Sequence, residues 1–396
     1  MPPARPVRHT VIRAAVIRQS WWRPSWLLAA AGLIGLAVAA TVQGGDAISA
    51  AGQDWPPFVL VAGLLLIGLV ADADGLFAAA GARLAGTTRS GRVLFAGAAL
   101  LVSVVAATLN LDTSVAFLTP VLVHTARSRG EGEPAMMYGC LLLANAGSLL
   151  LPGSNLTNLI VLGHLHLTGG QFAARMWLPW LGAILVTAVV VAIAERQSLR
   201  PAVADREPAP RPVLGVGLAA IVAATILVIV IRSAALPVFV IGVAAASVRL
   251  AQGRDEISLG RIWRVLEMPV LAGLFGVAVA LGTLGRAWSG PAVLLSHLSG
   301  WATAGVAAAA TVVVNNLPAA SMLAARTPSH PFQLLVGLNL GPNLCVTGSL
   351  AWLLWLRSAR NAGARPSLSR ASRLGVVAVP ISMAVALAAL AVTNGA

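Results

Sequence analysis

Residues Leu149–Gly163 read LLLPGSNLTNLIVLG and place a helix breaker and polar side chains inside a long apolar run. Pro152 removes a backbone hydrogen-bond donor, and Ser154, Asn155 and Asn158 follow it. Lipid cannot satisfy polar backbone groups, so non-helical backbone at membrane depth survives only inside protein or beside a wet cavity. The stretch therefore predicts a broken transmembrane helix whose break lies within the protein.

The composition around this stretch is that of a membrane protein. Of 396 residues, 58% are hydrophobic and 10% are charged, whereas soluble domains are about 25% charged. Apolar runs of roughly 15–20 residues recur, each near the length of a helix that crosses ~30 Å of hydrocarbon. The alternating pattern of a membrane barrel is absent. We expect a multi-pass, all-α protein of the cell membrane with spans at 26–42, 56–71, 135–165, 175–195, 213–231, 235–250, 268–285, 332–356 and 374–393.

Two further apolar runs, 93–126 and 301–326, are interrupted near the middle by TLNLDTS and VVVNNLPAAS. A straight helix over the 34 residues of the first run would be ~50 Å long, which is too long for one crossing. Two half-helices that enter and return on the same side fit the membrane better. We therefore predict two re-entrant hairpins, which with the full spans gives about 9–11 spans plus two hairpins.

The basic residues support this topology. All 27 of them are arginine, and almost all lie between apolar runs. If the N-terminus is cytoplasmic and both hairpins return to their own side, only Arg175, Arg232, Arg286 and Arg326 fall outside. Cytoplasmic loops of membrane proteins carry such an excess. This distribution accounts for the formal net charge of +14 without a nucleic-acid partner.

The pattern of elements occurs twice, and the arginines place the two hairpins on opposite sides. Each half has a span, a hairpin, an interrupted span and a closing span. Inverted repeats with broken helices hold their binding site near the bilayer midplane. Residues 72–86 and 255–267 are expected to form interfacial helices. The predicted organisation is a cytoplasmic tail (1–25), a first transmembrane repeat (26–195), a cytoplasmic linker (196–212) and a second repeat (213–396).

The four interruptions supply the candidate binding groups. Asparagine offers donors and an acceptor without the desolvation cost of a charge. Helix N-termini exposed at a break direct positive dipole ends into the cavity. This combination suits a small polar or anionic solute with a coupled cation, although the amides could instead cap the broken helices. The predicted substrate-binding residues are Asn110, Thr113, Ser154, Asn155, Asn158, Asn315, Asn316, Gly341 and Asn343.

Asp112 is the candidate group for proton or ion coupling, because it lies at the tip of the first hairpin. An ionisable residue at membrane depth is a functional candidate, and burial favours its protonated form. The alternative is that Asp112 caps the second half-helix. Asp72, Asp74 and Glu267 lie at cytoplasmic boundaries, where a solvated or capping role is expected.

Other classes of function are excluded by what the sequence lacks. Cys140 and Cys345 are its two cysteines, and both lie in apolar runs, so neither a disulfide framework nor a CxxC metal site is available. No phosphate-binding loop, HExxH or GxSxG motif occurs. We expect a secondary transporter rather than an enzyme, with no cofactor and no metal.

Four segments resemble the arsenite/antimonite efflux permeases (ArsB type) of the ion transporter superfamily. They are LNLDTSVAFLTPVLV, SNLTNLIV, VNNLPAASMLA and GLNLGPNLCVTGSLAWLLWL. The resemblance, from about Trp55 to the C-terminus, implies proton-coupled export of arsenite or antimonite, and hence arsenical resistance. By this resemblance, eight of the predicted site residues stand at the family's motif positions. They are Asn110, Asp112, Ser154, Asn155, Asn158, Asn315, Asn316 and Asn343.

This chain also departs from the family pattern. Leu111 stands where a second asparagine is common, and Cys345-Val346-Thr347 replaces a proline-containing stretch. The alternative function is therefore a sodium/proton antiporter or a sodium-coupled (di)carboxylate or anion transporter of the same superfamily. The lack of arginine at the tips disfavours a multiply charged anion. Protons or sodium are the expected coupling ions, and the resemblance leaves room for a separate ATPase subunit and a homodimer.

Overall fold

The protein is seen here in a computed structural model that describes residues 22–87, 90–163, 165, 167–199, 215–253 and 257–394. The predictions for the tail and for most of the linker fall outside these residues. Every regular element within them is helical. The α-helices are α1 (Trp22–Val42), α2 (Gly44–Ala73), α3 (Leu76–Thr87), α4 (Gly91–Thr108), α5 (Leu111–Ser128), α6 (Glu133–Gly147), α7 (Leu156–Leu162), α8 (Gly169–Ala194), α9 (Val216–Val230), α10 (Ala235–Ala251), α11 (Leu259–Leu266), α12 (Met268–Ala287), α13 (Gly290–His297), α14 (Gly300–Val314), α15 (Asn316–Leu323), α16 (Pro331–Leu340), α17 (Ala351–Asn361) and α18 (Leu368–Asn394).

The prediction of a polytopic all-α membrane protein is confirmed. Among the described residues, five helical segments are long and apolar enough to cross a membrane: Gly44–Ala73, Gly91–Thr108, Gly169–Ala194, Leu259–Ala287 and Leu368–Thr393. Several shorter helices join in pairs instead. Helices α6 and α7 form one broken span, and α16 and α17 form another, with short 3-10 turns at Pro152–Ser154 and Gly341–Leu344.

Helices α4 and α5 form the first hairpin. Asn110 lies between them in extended backbone, and its Oδ1 accepts a hydrogen bond of 2.6 Å from the Thr113 backbone N–H, which caps α5. The two open ends of the hairpin lie together, because a β-carbon added to Gly91 would be 3.2 Å from Glu131 Oε2. The chain therefore leaves this hairpin on the side where it enters.

Helices α14 and α15 form the second hairpin, which opens at the other end of the bundle. Gln53 Nε2 donates to Ala324 O, just after α15, at 3.1 Å and to Ile160 O, near the end of α7, at 3.0 Å. The first hairpin ends instead where Arg127 donates to Ala362 O, just after α17, at 2.5 Å. Because the broken spans run between these two places, the hairpins face opposite ways. We call the end that holds Arg127 the arginine-rich end.

The two halves match as an inverted repeat. Helices α2, α3, the first hairpin, α6–α7 and α8 correspond in order to α12, α13, the second hairpin, α16–α17 and α18. The closing helices α8 and α18 lie antiparallel, since Thr393 bonds Arg175 O at one end and Arg370 bonds Glu195 at the other. The halves also interlock: α1 packs along α12, and α10 packs along α2.

The contact between α1 and α12 depends on glycine. Small residues let membrane helices approach closely, and a β-carbon added to Gly276 would lie 2.2 Å from Gly32 O. We expect Gly276→Ala to lower the melting temperature in detergent, since overpacking costs about 1–3 kcal/mol. Gly305→Ala in α14 is the control, because an added β-carbon there has no neighbour within 4 Å. Equal melting temperatures for both variants would contradict this packing.

Candidate functional site

The breaks in the two broken spans meet around Asn339 of α16. Asn339 Oδ1 accepts hydrogen bonds from Asn155 Nδ2 at 2.7 Å and from Ser148 Oγ at 2.8 Å. Its Nδ2 donates to Asn158 Oδ1 at 2.8 Å. All four residues are buried. One amide of the second half therefore holds the break of the first half in place.

A second pair of amides joins the same two spans. Asn145 Nδ2 donates to Asn343 Oδ1 at 2.9 Å, and Asn343 Nδ2 donates to Leu142 O at 3.0 Å. We refer to the whole cluster as the amide network. Its members are Asn145, Ser148, Ser154, Asn155, Asn158, Asn339 and Asn343.

Tryptophans bind carbonyl groups next to each break. Trp180 Nε1 of α8 donates to Gly147 O at 3.0 Å, and Trp352 Nε1 of α17 donates to Pro342 O at 2.8 Å. A helix that stops in the membrane leaves its last carbonyls without an intrahelical partner. Each indole thus satisfies one carbonyl at a break. The two carbonyls lie on corresponding spans of the two halves, although the two tryptophans come from helices that do not correspond.

The amide network contains predicted residues and others that the sequence did not single out. Ser154, Asn155, Asn158 and Asn343 were predicted as site residues, whereas Asn145, Ser148 and Asn339 were not. Their spacing carries a signal: Asn145 precedes Ser148 by three residues, and Asn339 precedes Asn343 by four. Such pairs share one face of a helix.

The tip of the first hairpin holds polar atoms that the protein leaves open. Asn110 Nδ2 and Thr113 Oγ1 are buried and make no hydrogen bond within the described residues, and the same is true of Asn145 Oδ1. The 3.4 Å contact of Thr119 with Cys140 sets the register of α5 against α6 and places Asn145 near the level of Ser114. Buried polar atoms without a partner mark places for water or a solute.

Asp112 lies beside these open groups. Asn110, rather than Asp112, caps α5, so the capping alternative for Asp112 does not apply. Its carboxylate is partly exposed, and the described part of the chain supplies it with neither a hydrogen bond nor an ion pair. The charged group that interacts with it electrostatically is Glu267, and Glu267 is itself paired with Arg357 of α17.

Of the solvated or capping roles expected for the boundary acids, the solvated role is wrong for Asp74, whereas its bond to the first turn of α9 is a capping contact. Asp74 is buried; it forms an ion pair with Arg249 of α10 and accepts a 2.8 Å hydrogen bond from the Gly217 backbone N–H of α9. Glu267 is paired with Arg357 next to the first hairpin instead of facing water. These acids are paired because arginines from the second half of the chain reach them. The sequence could not show this, since the two partners meet only in the packed structure.

The tip of the second hairpin lies against the break in the second broken span. Asn315 Nδ2 donates to Thr347 O at 3.1 Å, and the Asn316 backbone N–H donates to Gly348 O at 2.9 Å. Asn315 has φ 76° and ψ 153°, a region that side chains other than glycine's occupy only under constraint. Asn315 and Thr347 are also partly open to the outside of the protein, unlike the amide network.

The predicted site residue Gly341 has a packing role. A β-carbon there would lie 2.6 Å from the Ala308 Cα of α14. The close approach of α14 to the 3-10 turn Gly341–Leu344 therefore requires glycine. Of the nine residues predicted to bind substrate, Asn110 and Thr113 have unsatisfied polar atoms, and Asn315 is the partly exposed amide.

Known proteins resemble the chain over most of its length. Residues 15–355 match the citrate transporter family, CitMHS. The chain is 25% identical over 415 residues to the arsenical pump membrane protein of Escherichia coli strain K12, covering 93% of this chain and 95% of that relative. It is 25% identical over 378 residues to the protein of the same name from Yersinia enterocolitica, covering 85% and 86%.

A solved structure supports the fold. The YdaH transporter of Alcanivorax borkumensis, reported to have an unusual topology, superposes with a TM-score of 0.56 at 14% sequence identity, covering 94% of this chain and 98% of that chain. The predicted resemblance to membrane transporters is confirmed, and the relatives are transporters rather than enzymes. The chain therefore belongs to the CitMHS citrate transporter family and is a membrane transporter of the ion transporter superfamily.

Proposed function

We propose that this chain exports arsenite or antimonite across the cell membrane in exchange for protons. The observation that carries the proposal is the chemistry of the first hairpin tip. Asn110 and Thr113 offer open neutral hydrogen-bonding groups, and Asp112 offers one carboxylate without a cation. A neutral hydroxylated solute such as arsenous acid needs hydrogen bonds and no counter-charge. The name of the relatives, arsenical pump membrane protein, agrees with this choice.

In the proposed cycle, Asp112 carries the coupling proton. A carboxylate with no partner is costly at membrane depth, so it favours either a proton or a bound solute. The proton arrives from outside and leaves on the cytoplasmic side as the solute moves outward. In this cycle the two hairpin tips become accessible to water in turn, because the two hairpins open at opposite ends of the bundle. The remaining predicted site residues, Ser154, Asn155, Asn158, Asn315, Asn316, Gly341 and Asn343, surround or support this pathway.

The orientation follows the positive-inside rule, with the arginine-rich end and the N-terminus in the cytoplasm. Arg127, Arg360 and Arg370 lie at that end, and Arg175, Arg286 and Arg326 lie at the other. A separate ATPase subunit and a homodimer remain expectations from the family resemblance.

A second candidate is a sodium-coupled citrate or dicarboxylate carrier, which the family description favours. Bound carboxylates usually engage arginine or lysine. No arginine lies in the tip segments 109–114 and 313–318 or in the breaks 148–155 and 341–348. This composition supports a neutral solute over a multiply charged one.

Everted membrane vesicles test the choice between these candidates. We expect vesicles that contain the protein to accumulate radiolabelled arsenite several-fold over vesicles without it when the lumen is acidified. Collapse of the pH gradient should remove the difference. Uptake equal to that of empty vesicles would overturn the proposal, and sodium-driven uptake of labelled citrate would favour the second candidate.

A further inference from the structure

Asp54 of α2 carries a buried carboxylate. It lies at the end of the bundle opposite the arginine-rich end, where the first hairpin opens. Only 1% of its surface is exposed, and its Oδ2 has no hydrogen-bond partner among the described residues. Arg286 of α12 is its charged neighbour, and the Ser321 hydroxyl of α15 lies beside its carboxylate. A β-carbon on Gly282 would lie 3.7 Å from Asp54 Oδ2 and 3.3 Å from Arg286 Nη1, so both groups lie against Gly282 of α12.

The residue before Asp54 joins the elements that surround the Asp54 carboxylate. Gln53 Nε2 bonds Ile160 O of α7 and Ala324 O at the end of the second hairpin, at 3.0 and 3.1 Å. Its Oε1 accepts a hydrogen bond from Arg286. Any movement of the second hairpin away from α2 would break the bond to Ala324 and open the surroundings of Asp54.

The inverted repeat gives Asp54 a counterpart. Asp54-Trp55-Pro56 precedes the core of α2, and Glu267-Met268-Pro269 begins the corresponding helix α12. Each acid lies beside the hairpin that opens at its own end of the bundle. Each also has an arginine neighbour, Arg286 for Asp54 and Arg357 for Glu267. Each end of the protein therefore carries an acid with a proline two residues after it and an arginine neighbour, although the two arginines come from helices that do not correspond, α12 and α17.

A buried carboxylate is stable when it is protonated or when a cation and hydrogen bonds satisfy it. Asp54 has a cation nearby but one oxygen without a partner, so neither condition is complete. Among the described residues, Arg286 from α12 is the charged group that faces Asp54. Two further charged residues lie near Arg286: Arg326 donates a hydrogen bond to its carbonyl, and Asp46 interacts with it electrostatically. Ser321 and Gln53 are neutral.

We propose that Asp54 is a second proton-binding group of the transport cycle, in addition to Asp112, at the end of the bundle where the second hairpin opens. It gains a proton from water when the second hairpin opens and returns it when Arg286 and the hairpin close over it. The inference rests on the proposed transport function. The O–H bond of the carboxyl group forms as an O–H bond of hydronium breaks, and the reverse transfer returns the proton to water.

Carbodiimide labelling of the purified protein in nanodiscs tests Asp54 without any transport assay. Dicyclohexylcarbodiimide reacts with protonated carboxyl groups in apolar surroundings, and mass spectrometry of peptides identifies the site. We expect labelling of Asp54 that falls as pH rises, with the fall moved to higher pH in Arg286→Gln. Labelling that is absent at every pH, or identical in the two proteins, would overturn the proposal.

Transport variants supply the second arm. We expect Asp54→Asn to reduce gradient-driven arsenite uptake at least tenfold, while arsenite exchange without a gradient persists. We expect Asp54→Glu to retain coupling, with a shifted pH profile of uptake. Glu133→Gln, which removes a partly exposed carboxylate paired with Arg127, is the control and should behave as the wild type. Full coupling in a correctly folded Asp54→Asn would contradict the role. If the wild type itself transports no arsenite, the proposed function fails, and the labelling result still decides the proton site.

Discussion

Asp112→Asn should reach the membrane in normal amounts and show gradient-driven arsenite uptake no higher than that of vesicles without the protein. The substitution keeps the size and polarity of the side chain, with an amide NH₂ in place of one carboxylate oxygen, but removes its ability to bind and release a proton. Asp112 makes no ion pair with the described residues, so the variant leaves no buried cation unpaired. Uptake at several pH gradients measures the effect.

The control for this variant is Asp72→Asn. Asp72 is a partly exposed carboxylate of the same helical bundle, paired with Arg261 at 2.6 Å. Its loss should change uptake little, because exposed ion pairs contribute about 0–1 kcal/mol. Gradient-stimulated uptake by Asp112→Asn close to that of Asp72→Asn would show that coupling resides elsewhere.

Asn339→Leu should destabilise the protein strongly. The change leaves Asn155 Nδ2, Ser148 Oγ and Asn158 Oδ1 without their bonds to Asn339. Ser148 Oγ keeps its bond to Asn145 O, so two buried amide atoms lose their partner at about 1–3 kcal/mol each, and we expect a loss of about 2–6 kcal/mol in total. Thermal unfolding in detergent, with yield in the membrane as a second readout, measures it.

Asn361→Leu is the matched control, since Asn361 is exposed at the end of α17. Surface substitutions of this kind usually stay within about 0.5 kcal/mol. A similar melting temperature for both leucine variants would mean that the amide network does not hold the two broken spans together.

Much of the fold could be predicted because a membrane makes polar residues conspicuous. The interruptions at Asn110, Pro152, Asn315 and Pro342 each fell inside an apolar run, and each is a hairpin tip or a helix break in the structure. The interlocking of α1 with α12 could not be predicted, because a helix that faces lipid and one that faces another helix have the same apolar composition.

The site was predicted less completely, for physical reasons that differ by residue. Asn339 lies one turn before the Pro342 break, in uninterrupted helix, and only the facing Asn155 reveals its role. Asp54 precedes the apolar run 56–71, where a solvated loop acid is expected. Its burial comes from α12 and α15, which are more than 200 residues away in sequence.

The most direct test of the central claim is proton movement in proteoliposomes that contain only this protein and a trapped pH indicator. With an acidic lumen, arsenite added outside should enter as protons leave, so the wild type should alkalinise the lumen and Asp112→Asn should not. Arsenite entry by the wild type with no change in lumenal pH would contradict proton exchange through Asp112.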